Sequence, residues 1–211
     1  MPPRYLKSLL GSVAFPAWCL GRRPGTQIVC ASYAQDLADK LGRDCRRIVT
    51  SDWFERAFPT RLSAQRQAVA EFETTQQGCR LATSVGGVLT GRGADLIIID
   101  DPLKPEEALS QAQRQAANDW FDHTLYSRLN DKRNGAIVMI MHRLHEDDLV
   151  GHVLGQENWE LVRLPAIAEA DETIFYDSLL GERCFERKAP PSTTPTLVGA
   201  PPNLTCSSSP W

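Results

Sequence analysis

The run Gly91-Arg92-Gly93-Ala94-Asp95-Leu96-Ile97-Ile98-Ile99-Asp100-Asp101-Pro102 constrains the fold of this chain more than any other stretch. Its apolar part, Leu96 to Ile99, is too short for an ordinary helix. It is mostly β-branched and is closed by Pro102, which predicts a strand. Because the run is apolar on both faces, it reads as a central parallel strand covered by helices on each side. Open α/β sheets present their ligands at the carboxyl ends of the strands. Asp100 and Asp101 stand at that end. Two adjacent carboxylates there are costly unless a cation or a reacting water engages them. In a nucleoside triphosphatase the first acid would hold magnesium through its water shell, and the second would orient or deprotonate the attacking water. An Asp-Asp-Pro turn that ends a strand accounts for the same residues, and both readings stay open at this point.

With 211 residues, the chain is long enough for one domain with a substantial core. A formal net charge of −3 excludes a generally basic nucleic-acid-coating protein but leaves room for a local basic track. Cys19, Cys30, Cys45, Cys79, Cys184 and Cys206 are scattered without a CxxC pair, so neither a zinc ribbon nor a disulfide scaffold is indicated. Cys30 and Cys79 lie in apolar runs and read as reduced core thiols. The sequence carries neither a signal peptide nor an apolar run of membrane-spanning length, and a cytoplasmic chain is expected.

Near the start, Lys7-Ser8 precedes an apolar helical stretch with Leu9, Leu10, Val13 and Ala14. This is the closing pattern of a phosphate-binding loop, in which the lysine reaches the β- and γ-phosphates and the hydroxyl binds magnesium. Both glycines of GxxxxGK[ST] are missing, and Leu6 occupies the place of the second. Taken alone, these residues are better explained as a frayed basic terminus. The helix is expected to run from Lys7 to about Cys19, interrupted at Pro16. Gln27 to Ala31 reads as a second buried strand. Ser32 and Gln35 have capping-box spacing, and Leu37, Leu41, Cys45 and Ile48 make one apolar stripe on the helix that follows. A short helix is expected over Ser51 to Arg61, and a hairpin over Val69–Thr74 and Cys79–Val85, turning at Gln76-Gln77-Gly78. Arg92, between glycines, is read as exposed, either reaching a phosphate or solvated.

Pro105 suits the first turn of a helix extending to about Trp120 or Tyr126. Ala136 to Met141 is a further buried strand, and its polar end, His142-Arg143, would lie beside Asp100 and Asp101. His142, His145, Glu146, Asp147, Asp148 and His152 invite a metal-site reading, but the order is not HExxH. Glu146 to Asp148 read more simply as the acidic first turn of a helix. Trp159 to Leu164 is expected as a last strand. From about Ala189 the chain turns rich in Pro, Ser and Thr and predicts a disordered tail.

Taken together, these segments resemble the ATPase domain of the large terminase subunit of tailed bacteriophages. The resemblance covers roughly Met1 to Lys188. It rests on PPRYLKS, FPAWCLG, IVCASYAQDLADKLGRDCR, RLATSVGGVLTGRGADLIIIDDPLKPEEA, NDWFDHTLYSRLNDK and HRLHEDDLVGHVL, in that order. It implies a P-loop α/β fold (ASCE type) with a mostly parallel sheet flanked by helices. It also implies an ATP-driven motor that moves double-stranded DNA into a procapsid. By this resemblance Lys7 is the Walker A lysine, Ser8 the magnesium-binding hydroxyl and Arg4 the arginine that stabilises charge at the transferring phosphate. Asp100 is the Walker B aspartate and magnesium partner. Asp101 is the catalytic carboxylate, a glutamate in many relatives. His142 and Arg143 fall at the coupling motif. ATP and Mg2+ are the implied cofactors. Phage DNA, portal protein, small terminase subunit and further copies in a ring are the implied partners, in the cytoplasm of a bacterial host and with no membrane.

The pattern departs from the family at both ends. The strand before the phosphate loop is missing, and so is a nuclease domain. The expected organisation is an ATPase domain at 1–188, incomplete at its N-terminus, and a tail at 189–211. Two rival functions follow: an inactive prophage remnant that does not bind nucleotide, and a metal-dependent hydrolase built on Asp100, Asp101 and the His142–His152 cluster.

Overall fold

A computed structural model describes residues 6–163, 170–178 and 181–189. The chain divides into two units between residues 164 and 165. The first opens with a π turn, Leu9–Ala14, that runs directly into helix α1, Phe15–Arg22. Strand β1, Gln27–Ser32, leads to helices α2, Gln35–Val49, and α3, Asp52–Ala57. Strands β2 (Leu62–Gln67), β3 (Glu71–Thr74) and β4 (Cys79–Ser84) form an antiparallel meander. Strand β5, Leu96–Asp100, follows the glycine-rich loop. Helix α4, Gln111–Trp120, passes into a second π turn, Phe121–Leu125, and a 3-10 turn, Tyr126–Arg128. Strand β6, Ala136–Ile140, and helix α5, Leu149–Leu154, complete the unit.

The fold is α/β, with one six-stranded sheet in the order β2-β3-β4-β1-β5-β6. β4, β1, β5 and β6 run parallel, so the sheet is mostly parallel. β5 is buried at all of its positions, because its alternate side chains enter two separate cores. Leu96 and Ile98 pack with Ile28, Cys30, Leu41, Cys45 and Leu20 under α1 and α2. Ile97 and Ile99 pack with Val29, Ala31, Phe121, Leu125 and Leu149 on the opposite face. Sequence alternation alone would have failed here, since a strand with two apolar faces shows none. Among the described residues β2 and β6 are the two edges of this sheet, each paired on one side only.

Several local expectations are corrected. Pro16 does not interrupt the first helix; it sits in the first turn of α1. The Phe15 N–H bonds to the Leu10 carbonyl, a π-type reach that widens the helix by one residue just ahead of the proline ring. Ser32 does not cap α2, because it is still in β1 and its backbone is paired there; Ala34 is the cap residue, and no side chain fills the role. Residues 104–109 form turns, and α4 begins after Ser110, whose hydroxyl accepts the Gln113 N–H. Residues 159–163 are irregular, not a strand, and Trp159 packs against the Phe121 ring instead. Glu146, Asp147 and Asp148 precede α5, with Asp148 as its N-cap. The hairpin turning at Gln76-Gln77-Gly78 forms as expected.

The second unit contains an antiparallel hairpin, β7 (Glu172–Ser178) and β8 (Gly181–Arg187), that the sequence reading did not anticipate. Arg4 and most of the tail, residues 190–211, lie outside the described residues. Among the described residues no helix is long and apolar enough to cross a membrane.

Candidate functional site

The site forms where β5 ends. Its parallel pairing places Asp100 beside Ser32 of β1 and Ile140 of β6. Asp101 follows in a left-handed conformation, with φ of +45°. The backbone around it holds that conformation from both sides: its N–H bonds to the Ile140 carbonyl at 2.9 Å, and its carbonyl accepts the Tyr33 N–H at 3.1 Å. Aspartate tolerates this region better than longer side chains do. A strained, doubly clamped acid at a strand end is typical of functional positions.

The start of the chain folds over this point. Lys7, almost fully buried, donates to the Asp101 carboxylate Oδ2 across a sequence separation of 94 residues. On the other oxygen of Asp101, the His142 N–H lies at 3.3 Å and the His142 Nδ1 at 3.5 Å. Asp100 is fully buried and accepts a hydrogen bond from the Ser12 hydroxyl at 2.8 Å on Oδ2. The Ser8 hydroxyl also acts on the Asp100 carboxyl, favouring its charged form. Lys7, Ser8, Asp100, Asp101 and His142 are therefore brought together at the end of β5. Ser12 was missed as a functional residue, because the π turn that aims it at Asp100 leaves no periodic signal.

Burial pushes the Asp100 carboxyl above its ordinary value; the Ser12 and Ser8 hydroxyls oppose this, the neighbouring Asp101 charge adds to it, and Lys7 opposes it. A folded-state value above the unfolded one means that the native state binds the proton more tightly. Asp100 therefore costs stability above its raised pKa, and that cost is relieved as pH falls through it. We expect Asp100→Asn to melt at a higher temperature than wild type at neutral pH. The advantage should shrink in mildly acid buffer, and equal melting temperatures at neutral pH would refute the assignment.

Asp100 Oδ1 is buried and has no hydrogen-bond partner among the described residues. An orphaned carboxylate oxygen with a serine hydroxyl on the same carboxyl fits a magnesium ion held through one acid, one hydroxyl and waters. Among the described residues no three His, Cys, Asp or Glu side chains gather as a metal-binding group. Within the His142–His152 cluster, His145 and His152 make separate contacts. His152 Nε2 lies 2.8 Å from Asp122 Oδ2, and His145 Nδ1 accepts the Asp147 N–H. The geometry that a hydrolase built on that cluster requires does not form.

Arg143 is a brace. Its Nε donates to the buried Asp148 at 2.9 Å, and its Nη2 reaches the His145 and Glu146 carbonyls. Asp148 also caps α5 through the Gly151 N–H, so the loop leaving β6 is tied to that helix. Arg92 is partly exposed and makes a bidentate pair with Glu71 at 2.6 and 2.9 Å. Leu6 has φ of +58°, a conformation suited to glycine. A leucine pays about 1–2 kcal/mol for adopting it.

A search of curated protein sequences finds no match. A search of solved structures finds similarity to the ATPase domain of the large terminase of Thermus phage P74-26, at 18% identity and a TM-score of 0.48. That match covers 66% of this chain and 56% of the other, little more than half its length. The family model described as "Terminase large subunit, T4likevirus-type, N-terminal" matches residues 5–194. With most of its length covered by that model, the chain belongs to the terminase large subunit family.

Proposed function

We propose that this chain is the ATPase domain of a phage terminase large subunit, coupling Mg-ATP hydrolysis to movement of double-stranded DNA into a procapsid. One observation carries the reading: Lys7 and Ser8 meet Asp101 and Asp100, across more than 90 residues of sequence, at the carboxyl end of a central parallel strand.

In this reading Ser8 and Asp100 would hold magnesium, which when bound supplies positive charge to the phosphate oxygens. Lys7 binds the β- and γ-phosphates, exchanging the Asp101 carboxylate for phosphoryl oxygens. That exchange frees Asp101 to orient the attacking water and take its proton. The His142 N–H holds one oxygen of Asp101, so the carboxylate keeps its direction when Lys7 leaves. Arg4 is assigned the stabilisation of charge at the transferring phosphate. His142 and Arg143 are assigned to coupling, since a shift of Asp101 passes to the loop that Arg143 ties to α5. Contacts to DNA would be mainly to phosphates and weaken with salt. Portal protein, small subunit and a ring of further copies are the proposed partners, in the host cytoplasm.

The rival, a prophage remnant that folds without holding nucleotide, draws on Leu6 in the strained place of a glycine. One equilibrium experiment separates the two. Magnesium-ATP should bind the folded chain saturably, and binding should fall by about tenfold to a hundredfold in Lys7→Ala, which loses charged hydrogen bonds to phosphate. Asp100→Ala should lose the magnesium dependence. A folded wild-type chain that binds no nucleotide would leave the remnant reading standing.

A further inference from the structure

The most unexpected side chain in the first unit is Arg80. It lies on β4, paired in register with Ile28 of β1 and Phe72 of β3, and it is 1% exposed. Its neighbours on that face form the apolar core under α1 and α2. Among the described residues no carboxylate meets it. Nη2 donates to the Ser12 carbonyl at 3.0 Å, while Nε and Nη1 have no partner among those residues. Burying a guanidinium on one neutral acceptor costs more than an apolar residue of the same size would. A second concession sits opposite. Gly42 lies inside α2, where glycine is the poorest ordinary helix former. A Cβ there would come within 2.9 Å of Arg80 Nη1.

Ser12 explains both. In an α-helix its carbonyl would accept the N–H of residue 16, but residue 16 is proline and has none. The Arg80 guanidinium supplies a donor to that carbonyl. The hydroxyl of the same Ser12 donates to Asp100 Oδ2 at 2.8 Å and leaves Oδ1 as the carboxylate's unpartnered oxygen. A continuous line therefore runs from Arg80 through the Ser12 peptide and hydroxyl to the acid assigned to magnesium.

We propose that Arg80 is a positioning residue for the cation site: it fixes the Ser12 peptide inside the π turn, so that Ser12 holds Asp100 with Oδ1 directed to the metal. The proposal rests on the reading of Asp100 as the magnesium partner. Gly42 belongs to the same device, as the clearance that lets the guanidinium reach its carbonyl. Arg80 touches neither nucleotide nor metal, and its effect passes entirely through Ser12.

The test is a magnesium titration of fluorescent ATP-analogue binding at equilibrium. It compares wild type with Ser12→Ala, Arg80→Met and the double variant. Each single variant is expected to raise the half-saturating magnesium concentration about tenfold, the loss typical of a group that orients a metal ligand. The double variant should lie no higher than either single one, because both break the same line. Methionine fills the arginine's apolar surroundings without a buried charge, so the variant is expected to fold. Gly42→Ala provides a second probe that keeps the charge: its Cβ presses on Nη1, and the magnesium midpoint should move in the same direction by less. An Arg80→Met midpoint equal to wild type, with Ser12→Ala shifted, would reduce Arg80 to a core residue and overturn the proposal. So would a double variant whose shift is the product of the single ones. Failure of the underlying reading looks different: the wild-type chain itself would then show no magnesium-dependent saturation.

Discussion

Asp101→Asn is expected to lower ATP turnover by roughly a hundredfold to ten-thousandfold, the range for loss of a general base, while nucleotide still binds. The substitution is nearly isosteric. Asparagine also tolerates the left-handed backbone at this position as well as aspartate does, so the clamp from Ile140 and Tyr33 should persist. What changes is charge. Lys7 now faces an amide instead of a carboxylate, and a phosphate no longer competes with an anion for it. Affinity for Mg-ATP should therefore tighten even as hydrolysis stops. Single-turnover hydrolysis and equilibrium binding, measured on the same preparation, separate the two effects. Loss of binding together with turnover would recast Asp101 as a tether that holds Lys7, with the base elsewhere. The same backbone geometry favours aspartate over glutamate at this position, since the left-handed region disfavours the longer side chain.

Ile98→Ala is expected to cost about 2–5 kcal/mol, the range for large-to-small changes in a core. Ile98 is fully buried at the centre of β5. Its register neighbours are Cys30 on one side and Val138 on the other, and it packs beneath the helices that carry Lys7 and Ser12 toward the site. Neighbouring strands cannot collapse into the space without breaking their pairing, so most of the cavity should remain. Urea unfolding should show a lower midpoint with an unchanged slope. A loss well under 1 kcal/mol would mean that β5 is not the keel of the sheet.

The parts of the fold that were legible in the sequence are those where burial and composition coincide. β1, β5 and β6 announce themselves as short apolar runs, and α2 by the stripe Leu37, Leu41, Cys45 and Ile48. The capping signal shows where this fails. Ser32 and Gln35 have the same spacing as Ser110 and Gln113, yet only Ser110 caps a helix. Ser32 is held in the sheet by pairing with Ser84 and Asp100, partners remote in sequence that no local pattern reveals. The acids and the lysine were legible because their chemistry is costly anywhere but in a site. Arg80, Ser12 and Gly42 were not, since a buried arginine, a helical serine and a glycine are individually unremarkable until the fold brings them together. β2 was missed for a simpler reason: Leu62 and Ala64 are its only apolar residues.

The π turn at Leu9–Ala14 also sets how this chain tolerates changes in length. The turn holds one residue more than an α-helix would over the same rise. Removing a single residue there would let the segment close into α geometry while the helix before it and the helix after it keep their relative phase. Lys7 and Ser8 would then stay at the acids while Val13, Ala17 and Leu20 keep their seats in the core. What the deletion would remove is the wide turn that aims Ser12 at Asp100, so a one-codon deletion should leave a folded protein with its lysine in place and its serine bond to Asp100 lost.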